Sequence, residues 1–216
     1  MEEQNNMTAE RSLEIITRSI EQARRDIERG SWKFMLLWGV AVTIIALIVG
    51  HLWAHYPMGP AANGLWGALG IIGLVDNFMK KREKKKPSTF LGKNITYVWT
   101  CLGVMTGAMG LTTGIIAGFN HILPQAVQVV FAEGLTRISH FPITCIIIFS
   151  MGIAGMITGC MLKSKIIIIS CLLAGGVGSI LSIIYAGPSE MIVFAASSVV
   201  ALIIPALIIK MKENEI

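Results

Sequence analysis

The feature that most constrains the fold of this chain is a series of long apolar runs separated by short polar connections. A helix needs about 20 mainly apolar residues to cross the hydrocarbon core of a bilayer. With 54% hydrophobic and only 14% charged residues, the chain leaves little for a soluble domain. The sequence therefore predicts an all-α polytopic membrane protein, a bundle of six transmembrane helices. These spans cover residues 35–55, 61–79, 96–119, 142–162, 165–186 and 191–210.

The basic residues predict which ends of the spans face the cytoplasm. All but one of the 18 lysines and arginines lie before span one, between spans two and three, between spans four and five, or at the end of span six. Only Arg137 lies in a connection on the other side. Cytoplasmic connections carry such an excess of positive charge. We therefore expect both termini in the cytoplasm, with three parts: residues 1–33, a six-helix domain at 34–212 and a tail at 213–216.

The basic run KKREKKK at 80–86 raises the question of an anionic partner. It has no interleaved aromatic residues of the kind that stack on nucleic-acid bases. The run is therefore interpreted as a topology anchor at the lipid headgroups, with the bilayer as the expected partner and no nucleic acid.

The N-terminal segment has the pattern of an amphipathic cytoplasmic helix. Thr8 is a suitable N-cap and Gly30 a suitable stop. Between them, small and apolar residues recur at alternating spacings of three and four, the rhythm of a helical seam. We call this set the N-terminal seam: Leu13, Ile16, Ile20, Ala23, Ile27 and Gly30. The seam suits pairing with a second copy, binding another protein or the cytoplasmic loops, or lying on the membrane; adjacent arginines favour the membrane.

The connection between spans three and four, NHILPQAVQVVFAEGLTRISHFP at 120–142, is too polar to cross the bilayer. Pro124 suits the first turn of a helix, and Glu133 with Arg137 forms an i, i+4 pair. The sequence predicts a short interfacial helix at the outer surface. A re-entrant element is the alternative.

Few residues suggest chemistry. His51 and His55 are four residues apart on one helical face at the outer end of span one, a spacing that can hold a metal ion. Asp76 is acidic within a span, and Lys80 one turn later can pair with it. No catalytic constellation or cofactor motif is present, so we do not expect an enzyme or a cofactor. Four cysteines, Cys101, Cys145, Cys160 and Cys171, are predicted to be small buried residues.

Glycines are regularly spaced along most spans. In span three they line a single stripe: Gly103, Gly107, Gly110, Gly114 and Gly118. Small residues let helices approach closely in lipid, where no hydrophobic force joins them. We therefore expect span three to sit deep among its neighbours. The alternative is a small transporter or channel, supported by the glycine faces, by similarity between the hairpins that contain Cys101 and Cys171, and by Pro205 within span six.

The segment SLEIITRSIEQARRDIERGSWKFMLLWG at 12–39 resembles an uncharacterised family of small multi-pass membrane proteins of anaerobic gut bacteria. Ser12, Leu13 and Ile16 match an S-L-x-x-I helix, and Phe34, Trp38 and Gly39 match an F-x-x-W-G start of span one with one additional residue. The resemblance implies a bacterial inner-membrane location and assigns no activity. We expect a non-enzymatic sensing, regulatory or scaffold protein that uses its N-terminal helix as the cytoplasmic contact.

Overall fold

The computed structural model describes residues 2–56, 59–82, 90–122 and 143–214. Within these ranges, five helices are long and apolar enough to cross a membrane: Ala9–His55, Phe90–Thr112, Ile143–Leu162, Lys165–Ile184 and Glu190–Glu213. The helical elements are α1 (Glu2–His55), a 3-10 helix (Gly59–Trp66), α2 (Gly67–Arg82), α3 (Phe90–Ile122), α4 (Ile143–Leu162), α5 (Lys165–Ile184), α6 (Glu190–Ser198), a π-helical turn (Val199–Ile203) and α7 (Ile204–Asn214). The predicted all-α membrane class is confirmed.

Helix α1 corrects the prediction of a separate N-terminal helix. It continues without interruption for 54 residues, about 80 Å at 1.5 Å per residue. Gly30 lies inside this helix, and an added Cβ there would meet no atom within 4 Å. A glycine commonly ends a helix by adopting a left-handed backbone conformation with positive φ. Among the described residues, Gly187 has such a φ and Gly30 does not. The boundary expected between residues 33 and 34 therefore falls within a single helix.

Helices α4 and α5 form a tight antiparallel hairpin. The turn between them is a Schellman motif: Lys163 has a φ of 54°, and Ser164 N–H donates to the Gly159 carbonyl at 2.9 Å. Glycines allow the two helices to touch, because a Cβ on Gly152 would lie 2.6 Å from the Cα of Gly175. The small-residue packing expected of spans four and five is therefore present in this hairpin.

Helix α1 runs antiparallel to the segment formed by α6, the π-helical turn and α7. At one end Trp32 bonds to Glu213. In the middle, Gly39 faces Leu202 and Ile203. At the far end, Gly50 faces Met191. Met35, Gly39, Val42, Ala46 and Val49 are buried along this face of α1, which we call the inner seam.

Helix α3 begins at the same end of the bundle at which α1 enters it. Its Trp99 indole donates to Thr158 near the end of α4 at 3.1 Å, and Arg24 of α1 donates to the neighbouring Met161 carbonyl at 3.0 Å. Lysines gather here as well, so we call it the basic end: Lys33, Lys93, Lys163, Lys165, Lys210 and Lys212.

The segment between α1 and α3 runs back along α1. Ala62 is buried in a cluster with Val49, near the far end of α1. Eleven residues later Gly73 faces the Trp38 ring at 3.5 Å, close to the basic end. The segment begins as a 3-10 helix rather than an α-helix, and its apolar stretch Ala61–Val75 is shorter than the other five. Its N-terminal half thus differs from the regular second span that we expected.

The last span is irregular next to Pro205. The turn before it is π-helical: Ile204 N–H donates to the Val199 carbonyl, five residues earlier. Proline has no N–H to donate to the carbonyl of residue 201. The Cys171 thiol of α5 lies 3.7 Å from that Ala201 oxygen and donates to it, so a neighbouring helix provides the donor that proline removes.

Candidate functional site

The candidate site is the N-terminal part of α1, which extends beyond the rest of the described bundle. Three large residues of the N-terminal seam are mostly uncovered: Leu13 is 64% exposed, Ile16 54% and Ile20 53%. Soluble surfaces carry isolated apolar residues, but three at seam spacing on one helix form a contiguous stripe. This part of α1 therefore presents an apolar face for contact.

The seam meets the bundle at Ile27. This side chain is half-buried and packs against the main core cluster. One turn earlier, Arg24 donates to the Met161 carbonyl, one of the last four carbonyls of α4, which have no partner within their own helix. Ile27 and Arg24 therefore fix the point at which α1 leaves the bundle.

A second contact holds α1 at the basic end. The Trp32 indole N–H donates to Glu213 Oε2 at 2.7 Å, and Lys210 Nζ lies 5.1 Å from the centre of the same ring. A cation this close to an indole face is attracted to it. The last turn of α7 is thus attached to α1 just where the N-terminal extension begins.

A further polar link to α1 lies in the interior of the bundle. Ser198, fully buried, donates from Oγ to the Gly39 carbonyl at 3.2 Å. Gly39 has no side chain, so the last span can approach its backbone, where an added Cβ would lie 2.8 Å from Ile203. The inner seam of α1 is therefore held by close packing together with a hydrogen bond across the interface.

The glycine stripe of α3 does not pack in the way that its spacing predicted. A Cβ added at Gly103, Gly107 or Gly110 would meet no atom within 4 Å. Every described side chain of α3 from Phe90 to Thr112 is exposed or half-buried. The side-chain positions of Gly114 and Gly118 lie outside the described set. We correct the prediction accordingly: among the described residues, the close glycine contacts are between α4 and α5, between α5 and α6, and along α1.

His51 and His55 lie together at the end of α1 opposite the basic end. The rings of His51 and His55 are stacked with centroids 4.6 Å apart, and His55 Nδ1 is 3.1 Å from the His51 carbonyl oxygen, to which its N–H donates. Among the residues that the structure describes, no group of three or more His, Cys, Asp or Glu could hold a metal ion. In the described part of the chain, the geometry gives two stacked rings and no third ligand.

Other predicted positions have mixed outcomes. Asp76 and Lys80 both lie in α2, but their side chains are outside the described set, as is the predicted interfacial helix between α3 and α4. Of the cysteines, Cys171 is buried, Cys145 is half-buried, and Cys101 and Cys160 are exposed. The expectation of burial is therefore wrong for two of them, which face outward from the bundle.

Several hydroxyl groups within the spans bond to their own helices. Each of five donates to a carbonyl three or four residues earlier, a common arrangement for Ser and Thr inside a helix. These are Thr106, Thr112, Ser150, Thr158 and Ser179. Sequence reasoning missed the polar links between helices, from Trp99, Ser198 and Cys171, because a polar residue in a span does not reveal its partner.

Together these helices define a polytopic α-helical membrane protein. A scan against models of protein families, a search of curated proteins and a search of solved structures each found no match to the chain.

Proposed function

We propose that this is a non-enzymatic membrane protein that senses, regulates or scaffolds, with the N-terminal part of α1 as its cytoplasmic contact. In this proposal the chain crosses the bacterial inner membrane six times and both termini are cytoplasmic. The observation that carries the function is the continuity of α1. A single helix packs its inner seam in the bundle and holds an apolar face, Leu13 to Ile20, outside it.

The course of the chain supports six crossings. Helix α1 ends at His55, far from the basic end, and α3 begins near the basic end. The segment between them must return, and its contacts with Val49 and then Trp38 follow that direction. At about 2.0 Å per 3-10 residue and 1.5 Å per α residue, residues 61–79 extend about 30 Å, the thickness of the hydrocarbon core.

Charge supports the orientation. The lysines of the basic end come from four separate connections or termini, whereas residues 40–66 and 175–200, which contain two of the three connections at the opposite end, include no Lys or Arg. An excess of Lys and Arg marks the cytoplasmic side. The resemblance of residues 12–39 implies the bacterial inner membrane as the location.

Impermeant thiol labelling in intact cells tests the topology. Tyr56→Cys and Lys93→Cys lie on either side of the returning segment, and both positions are exposed. We expect Tyr56→Cys to react in intact cells and Lys93→Cys only after lysis, with the parent chain as the control for its own cysteines. Labelling of both from the same side would contradict six crossings.

Photocrosslinking in cells tests the function. A photoreactive amino acid at Leu13 of the full chain should give a specific protein adduct, which Ile16→Asp together with Ile20→Asp abolishes. The same amino acid at Ile15, which is 59% exposed and lies on another face of the helix, is the matched control. Solute flux in proteoliposomes without any adduct would favour the small transporter or channel instead. The five span hydroxyls that bond to their own helices argue against a polar pathway.

A further inference from the structure

We infer that the contact made by α1 is with a second copy of this chain, in parallel, along a seam that continues from the cytoplasmic extension through the first span. This inference rests on the proposed function and names its partner. The 3-4 spacing of the N-terminal seam continues unbroken beyond Gly30. The full set, here called the outer seam, is Leu13, Ile16, Ile20, Ala23, Ile27, Gly30, Phe34, Leu37, Ala41, Ile44 and Ile48.

The outer seam and the inner seam lie on different faces of α1. At 3.6 residues per turn, the centres of the two seams are about 150° apart around the helix. The inner seam is buried by α6, the π-helical turn and α7, whereas the large residues of the outer seam, apart from Ile27, are 36–64% exposed. One helix therefore has two packing faces, and apart from Ile27 the described part of the chain covers only one of them.

The continuity of the outer seam selects a second copy over the membrane surface. Lipid can cover Phe34 to Ile48, which lie in the span. The same helix, however, carries Leu13 to Ile20 beyond the basic end. Laying these residues on the bilayer would require a sharp bend near Gly30, where α1 is an uninterrupted α-helix. A second α1 in the same membrane has the same orientation and covers both parts at once, over about 50 Å at 1.5 Å per residue.

The period of the outer seam fits this pairing. A strict seven-residue repeat averages 3.5 residues per turn, slightly less than the α-helix, so two such helices stay in contact by winding around each other with a left-handed crossing. The outer seam holds this repeat from Leu13 to Ile48 without a skipped position.

The charges of α1 are placed to permit a parallel pair. Along residues 12–31, the flanking positions that would meet across the seam are Ser12 with Thr17, Ser19 with Arg24, and Asp26 with Ser31, none a pair of like charges. Most of the charged side chains between residues 11 and 25 lie on faces of α1 away from the seam.

Two of these charged residues, Glu14 and Arg18, form a salt bridge within the helix at 2.7 Å. A second copy therefore meets apolar groups with neutral or compatible flanks.

Disulfide trapping in membranes tests the pairing. Single substitutions Leu13→Cys, Ile16→Cys and Ile20→Cys in the full chain should each give a covalent dimer on oxidation, because a parallel seam brings each residue next to its own copy. Ile15→Cys and Arg18→Cys are the matched controls: both positions are exposed, but they face away from the seam. They should give no more dimer than the parent chain, whose own cysteines set the background.

Mass measurement in mild detergent gives an independent readout. We expect a species of twice the 23.4 kDa chain mass, lost in the double variant Ile16→Asp and Ile20→Asp and retained in Ile15→Asp. An unchanged mass in the double variant, or equal trapping at positions 15 and 16, would overturn the second copy as partner. If trapping fails while Leu13 still crosslinks to a different protein, the self-pairing is wrong and the proposed function stands; crosslinks to lipid alone would overturn both.

Discussion

Changing glycine to alanine at two kinds of site should have opposite effects on stability. At Gly152 in α4, the new Cβ would lie 2.6 Å from Gly175 Cα and 3.0 Å from the Cys171 carbonyl oxygen. Carbon atoms in favourable contact are about 3.5–4.0 Å apart. The obstacle is backbone of the facing helix, which cannot rotate aside, so α4 and α5 must separate by about 1 Å. At Gly103 in α3, the same Cβ meets no atom within 4 Å.

The magnitude follows from two terms. Alanine favours the helix over glycine by about 0.5–1 kcal/mol at both sites. Overpacking a tight contact costs about 1–3 kcal/mol, and only Gly152→Ala incurs it. Because the helix term is common to both variants, their free energies of unfolding should differ by about 1–3 kcal/mol. Gly103→Ala should be neutral or stabilising, and Gly152→Ala destabilising.

Equilibrium unfolding in mixed micelles, followed by tryptophan fluorescence, measures this difference. Gly107→Ala serves as a second control in α3, and Gly175→Ala as the reciprocal change in α5, where an added Cβ would lie 2.7 Å from Gly152 Cα. Equal losses of stability in the α3 and α4 variants would refute this packing and support a buried glycine stripe in span three. Gly110→Leu would loosen the bundle if span three were deeply packed. Because a Cβ added at Gly110 meets no atom within 4 Å, we expect the folded chain to tolerate this change as well.

Three further changes test other contacts. Gly30→Ala should raise the free energy of unfolding by about 0.5–1 kcal/mol, because Gly30 is inside a helix, whereas a loss of stability would indicate a left-handed helix end. Trp99→Phe removes the hydrogen bond to α4 and should lower the free energy of unfolding by about 0.6 kcal/mol. Trp38→Phe should cost less, because the buried indole N–H of Trp38 has no hydrogen-bond partner in the described structure. The reverse order in unfolding experiments would contradict this. Trp32→Phe removes the bond to Glu213, and hydrogen exchange in the last turn of α7 should become faster; unchanged exchange would show that the bond does not hold that turn.

The sequence by itself determined the class of this protein. Long apolar runs leave a chain no choice but to place its backbone polar groups in helices within a bilayer. The alternation of basic connections likewise predicted that Lys163, Lys165 and Lys210 would gather at one end, as they do. These properties depend on composition and on the order of residues along the chain. They can be predicted without knowing which helices contact one another.

Tertiary structure decided the roles of the glycines and the continuity of α1. Gly152 and Gly103 lie in similar patterns, yet only one faces another helix, because spacing places residues on a face without saying what lies opposite it. Gly30 is a common end signal, but a helix ends only where another backbone conformation is more favourable. Neighbouring α4 and α7 hold α1 on either side of this position, through Arg24 and Trp32. Contacts between distant parts of the chain supply this information, and they exist only once it has folded.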